Sequence, residues 1–159
     1  MSGVAKGTRA ALIPLFLIAL GVVGFENALT RYFAVAKWSE YGYWIISIVM
    51  AGFALSGVVV ALFRDAVQKH GVLLRTLLPA AMVIAAAVGY QLITANPFNP
   101  LQLQNPTTWP DQLRNIGLYY AALLPFFFLA GLYIALMFVM NPREIGRVYG
   151  YDLIGAGLG

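Results

Sequence analysis

The sequence predicts an all-α, polytopic transmembrane helical bundle of about four spans with the start of a fifth. Three observations predict it. Hydrophobic residues make up 61% of the 159 positions and charged residues only 10%, with a mean hydropathy of +0.79. An ordinary soluble domain carries about 25% charged and about 45–50% apolar residues, and a compact soluble fold of this length could not keep so much apolar surface from water. Several apolar runs also reach the roughly 20 residues needed to cross a hydrocarbon core of about 30 Å. Finally, the 10 lysines and arginines fall between those runs, where they act as topology signals. The net charge of +4 therefore does not point to nucleic acid; the expected partner is the lipid bilayer. The chain has no cysteine, which excludes disulfides, thiolate catalysis and Cys-based metal sites.

The first span is expected from about residue 10 to 31, with Pro14 in its opening turn. Lys6 and Arg9 before an apolar stretch resemble a signal peptide. Phe25-Glu26-Asn27 then follows without a small-residue cleavage pattern, so an uncleaved helix is expected. The second span, 43–63, carries no charge. The third, 76–95, is rich in alanine, with Pro79 near its start. The fourth, 116–140, is uncharged and holds Pro125, where a kink is expected and neighbouring groups must satisfy the freed carbonyl.

Between the third and fourth spans, residues 96–115 contain Pro97, Pro100, Pro106 and Pro110, which predicts an extended, turn-rich loop. Trp38, Trp44 and Trp109 suit an aromatic belt at one interface. Arg64–Arg75 and Asn141–Arg147 read as short basic loops. Lys6, Arg9, Arg64, Lys69, Arg75, Arg143 and Arg147 fall on one side, against Arg31, Lys37 and Arg114 on the other. This asymmetry predicts a multi-pass inner-membrane protein with a cytoplasmic N-terminus and the proline-rich loop outside. Residues 151–159 look like the opening of a fifth helix. They rise only about 13.5 Å, less than half a membrane, so the chain is expected to be a piece of a longer protein; the alternative is a helical stub lying on the bundle.

The candidate polar site is Glu26, Asn27, Arg31 and Asp152. A carboxylate or guanidinium at a helix centre costs about 2.5–3.5 kcal/mol to insert, so such groups usually face the protein interior and pair. Asn27 and Arg31 are four apart and share a face; Glu26 and Arg31 are five apart. One reading is an ion or substrate pathway. The other places the cluster at the outer interface, with Arg31 snorkelling to headgroups. Asp152, at the opening of the expected fifth helix, either complements the helix dipole or reaches Arg143, Arg147 or a bound cation. Gly155 and Gly159, like Gly52 and Ser56, have the four-residue spacing that lets membrane helices approach closely. The glycines at the end lack the strand and the later acid of a dinucleotide turn. His70, the only histidine, has no second ligand type beside it in sequence. No catalytic motif is visible, and no metal or other cofactor is expected.

Two stretches resemble a known family. One is Phe25 to Gly57, with a Glu-x-x-Leu-Thr-Arg core (Glu26, Leu29, Thr30, Arg31) and then Ile46, Ser47, Gly52, Phe53, Ser56 and Gly57. The other is Leu124 to Phe128, Gly131, and Ile145 to Ala156. Together they cover about half the chain and are similar to the N-terminal membrane domain of bacterial spermidine-synthase-like (polyamine aminopropyltransferase-like) membrane proteins. The resemblance implies a membrane domain with an anchoring or transport-like role, fused to an aminopropyltransferase-like domain whose catalytic loop and acids are absent here. The alternative is a small, non-catalytic accessory subunit whose helices pack on those of a larger membrane complex.

Overall fold

The computed structural model describes residues 2–36 and 42–159, with the side chains of the first helix from Leu12 onward. Lys37, assigned above to the outer side, and Trp38, assigned to the aromatic belt, lie outside the described residues, as do the side chains of Lys6 and Arg9. The described residues form six α-helices and no strand: α1 (Ser2–Ala36), α2 (Gly42–Leu62), α3 (Arg64–Lys69), α4 (Gly71–Ala95), α5 (Trp109–Met140) and α6 (Ile145–Leu158). Four stretches, Leu12–Ala36, Gly42–Leu62, Gly71–Ala95 and Trp109–Met140, are long and apolar enough to cross a membrane. The chain is a multi-pass, all-α membrane protein.

Most helix bounds reach beyond the expected ones: α1 ends at Ala36 rather than Arg31, and several prolines lie within helices rather than at their limits. α1 begins at Ser2 and α4 at Gly71, so Pro14 and Pro79 are interior residues and not opening-turn ones. α5 runs unbroken through Pro125 and begins at Trp109, not at Ile116. Pro110 sits in its first turn, where the missing N–H had no helical acceptor to lose. The same holds for Pro142, which opens a 3-10 turn (Pro142–Glu144) leading into α6 six residues before the expected start. The basic segment after α2 is not a loop either: Arg64–Lys69 is a short helix. Its Asp65 in the first turn and Lys69 in the last complement the helix dipole.

α5 is the centre of the bundle, flanked by α2 and α4, while α1 leans on α2 and α5 and packs along α6, which also touches α5. Close backbone approaches set the directions. Gly52 and Ser56 of α2 meet Phe127 and Gly131 of α5, so these two helices run parallel. Gly89 and Gly71 of α4 meet Ala122 and Met140 of α5, so that pair is antiparallel. Gly71 against Met140 also places the basic segments around α3 and after α5 at the same end of the bundle.

Two apolar clusters fill the interior. Nearer the proline-rich loop, Phe33, Ile45, Ile48, Tyr119 and Phe127 pack together; at the basic end, Leu15, Tyr133, Leu136 and Val148 do so. Many large apolar side chains, Met50, Val58, Val83 and Ile84 among them, remain exposed on the outer faces of the spans, where acyl chains are their solvent.

Candidate functional site

On α1 the buried positions Leu12, Leu15, Ala19, Val22, Leu29 and Phe33 step by three and four residues, apart from one gap. Glu26 fills that gap. Its carboxylate therefore stands on the core-facing stripe of the helix, half-buried. The residues on either side of it in the stripe, Val22 and Leu29, share a cluster with Ile45, Ile48 and Val49 of α2. The preceding Phe25 lies against Phe126 of α5, with ring centroids 4.8 Å apart.

The structure separates Glu26 from Arg31. Arg31 is exposed, and among the described residues neither takes part in an ion pair; the pairs present are Asp111–Arg114 at 3.7 Å and Glu144–Arg147 at 3.6 Å. Five residues is close to one and a half helical turns, so one side chain turns inward and the other toward lipid. Asn27 is also exposed, and its Nδ2 donates to the Gly159 carbonyl at 3.4 Å.

That bond belongs to the α1–α6 seam. A Cβ on Gly155 would overlap the Phe16 carbonyl and stand 3.0 Å from the Ala19 Cβ; on Gly159 it would overlap the Leu20 carbonyl and stand 2.8 Å from Gly24 N. The two helices thus run parallel at near-backbone contact. Val148, Asp152, Gly155 and Gly159 follow one another at helical spacing along this edge. Asp152 does not open a helix, because α6 starts at Ile145 and the aspartate lies about two turns inside it. It makes no ion pair with Arg143 or Arg147, the latter being held by Glu144. Burial against the seam pushes its carboxyl above the ordinary value of 3.8.

Sequence reasoning missed a polar network at the other end of the bundle. Asn96, Gln112 and Asn115 are buried. Asn96 Nδ2 donates to the Asn115 carbonyl at 2.9 Å, and its Oδ1 accepts from Phe98 N at 3.1 Å. Gln112 Oε1 accepts from Asn99 N at 2.9 Å while its Nε2 donates to Gln102 Oε1 at 2.8 Å. These bonds tie the proline-rich loop and its 3-10 turn (Pro100–Gln104) onto α5. One turn further in, Tyr119 is buried between Phe33 and Phe98, with ring centroids at 5.0 and 5.8 Å, and its hydroxyl has no hydrogen-bond partner. The signal was present in the sequence: Gln112, Asn115 and Tyr119 are spaced i, i+3, i+7 on one face of α5.

Of the tryptophans, Trp44 lies against Phe98, with ring centroids 5.5 Å apart and the ring planes tilted by 57°, and Trp109 is exposed at the start of α5. His70 is exposed at the junction of α3 and α4. Among the described residues no three His, Cys, Asp or Glu side chains gather as a metal site would require. No family model, curated protein or solved structure matches this chain.

Proposed function

We propose that this chain is a membrane domain with an anchoring or transport-like role, of the kind found in spermidine-synthase-like membrane proteins, in which Glu26 is the polar group of the pathway. The observation that carries the reading is the place of Glu26 on the inward stripe of α1, between Val22 and Leu29. An ionisable side chain on the stripe of a membrane helix that faces its neighbours is by default a candidate for an ion or substrate path. The excess of lysine and arginine at the end of the bundle that carries α3 supports an inner-membrane location with that end, and the N-terminus, in the cytoplasm.

Complementation of a deletion strain tests the pathway. Glu26→Gln is expected to abolish rescue of that strain while membrane yield stays at the wild-type level. Equal loss of yield and function makes Glu26 structural. The mass of the polypeptide in its native membrane tests the wider assignment, a species much heavier than 17.3 kDa being expected.

The second reading, an accessory subunit, draws on α6. Its outward side chains Leu153, Ile154 and Leu158 are exposed and apolar, suiting contact with helices of a larger complex. A native polypeptide near 17.3 kDa that co-purifies with other subunits favours this reading.

A further inference from the structure

α1 and α4 face each other across a groove of about 580 Å³, whose floor is Phe126 of α5. Its lining is apolar throughout, with Gly21 and Phe25 on one wall and Pro79, Met82 and Ala86 on the other. That volume falls within the range of about 300–1,000 Å³ typical of small-molecule sites. The groove spans residues 17–25 of α1 and 79–87 of α4, about 12 Å of helix rise. Two features define its ends. Toward the proline-rich loop the same facing stripes bring Tyr32 and Tyr90 together, with ring centroids 6.3 Å apart. A spanning helix needs about 30 Å, so it could not lie along the groove without parting the two tyrosines, whereas a chain end can stop beneath them. Toward the basic end, Arg75 precedes Pro79 by one turn, and Arg75, Pro79, Met82 and Ala86 share one edge of α4 at four-, three- and four-residue steps. Arg75 is exposed and, among the described residues, takes part in no ion pair.

We propose that this groove is a phospholipid site, with one acyl chain lying between α1 and α4 up to the Tyr32–Tyr90 contact and the headgroup phosphate held by Arg75. The apolar lining offers nothing to a polar solute, and the cation at the open end supplies what a phosphodiester needs. A phospholipid carries both parts in that order. The site does not involve Glu26 and stands apart from any pathway there.

Native mass spectrometry of the full chain, purified in mild detergent and titrated with phosphatidylglycerol or phosphatidylcholine of the same acyl chains, tests it. Wild type is expected to retain one phospholipid, with phosphatidylglycerol preferred. A Cβ on Gly21 meets nothing within 4 Å, so Gly21→Phe fills the groove without disturbing a helix contact and is expected to lower retention at least tenfold. Gly21→Ala leaves the groove open and should keep it. Arg75→Gln is expected to abolish the preference for phosphatidylglycerol while a weaker, headgroup-blind association persists. Glycerol phosphate alone is expected not to bind, and saturable binding of it would place the recognition in the headgroup only and overturn the tail site. Equal retention by wild type and Gly21→Phe would mean adventitious lipid only. That outcome, or no retained lipid in wild type, overturns the proposal.

Discussion

Gly52 on α2 faces Phe127 on α5 so closely that a Cβ on the glycine would stand 2.7 Å from the phenylalanine Cβ and 2.9 Å from the backbone of α5. Nothing flexible lines that contact, so a larger residue must push the two helices apart. Gly52→Ala is expected to cost about 1–3 kcal/mol, the usual penalty for overpacking. Gly57, one turn and a half further along the same helix, has open space where its Cβ would be. Gly57→Ala is therefore expected to be neutral or to stabilise by up to about 1 kcal/mol through helix propensity alone. Thermal unfolding in detergent checks both, and equal behaviour of the two variants contradicts the packing argument.

Tyr119 makes the opposite kind of prediction. Its ring fills the core between Phe33 and Phe98 while its hydroxyl is buried without a partner. An unsatisfied buried polar group costs about 1–3 kcal/mol. Tyr119→Phe keeps the ring and removes that cost, so unfolding should shift upward, by about 2–4 °C for each kcal/mol in a chain of this size. Tyr119→Ala should instead lose about 3–5 kcal/mol from the cavity. A marked fall in stability for Tyr119→Phe would reveal a hydrogen bond absent from the geometry described above.

Gln112 ties the proline-rich loop to α5 through both ends of its amide. Gln112→Leu leaves Asn99 N and the Gln102 carboxamide without that partner, an expected loss of about 1–3 kcal/mol. The loss should be local. Limited proteolysis between residues 99 and 108 is expected to quicken, while cleavage near α3 does not change.

The four spans were legible because length and apolarity alone make a membrane helix. Their ends were not, since Pro110 and Pro142 look like breakers in a sequence and act as helix openers in the structure. The polar network escaped notice because Asn96, Gln112 and Asn115 sit among prolines that suggested a solvated loop, and only the packed loop reveals them as buried. Glu26 and Arg31 stood out from the sequence as unusual, but proximity in number was weak guidance. The three- and four-residue rhythm of the buried α1 positions sets the half-buried Glu26 on the core-facing stripe, and that rhythm emerges only when burial is known for each position.

Facing different ways, Glu26 and Arg31 should behave as independent residues. Glu26→Gln and Arg31→Gln are each expected to change stability by their own amounts, with the double variant equal to the sum within about 0.3–0.5 kcal/mol. Contact through a salt bridge would give a coupling larger than that. The comparison is best made in a thin and a thick bilayer, because Arg31, exposed on α1, should respond to the distance of the headgroups while Glu26 should not.

Asp152 offers a pH test outside the four spans. Burial raises its carboxyl above 3.8 in the folded protein, so the folded state binds a proton more readily than the unfolded one. The sign follows from linkage: stability from this group is fully present below pH 3.8 and is lost as pH rises through the higher folded value. Asp152→Asn mimics the neutral form and should remove that loss. Hydrogen exchange along α6 is therefore expected to be slower in Asp152→Asn than in wild type at neutral pH, with the two converging as the buffer is made acidic. Because Asp152 lies on the edge of α6 that carries Gly155 and Gly159, the difference should centre on the α1–α6 seam and leave α4 untouched. A wild-type α6 that exchanges faster in acid than at neutral pH, relative to Asp152→Asn, would mean that a cation holds the carboxylate there, and the glycine-packed seam would then carry an ion pair as well.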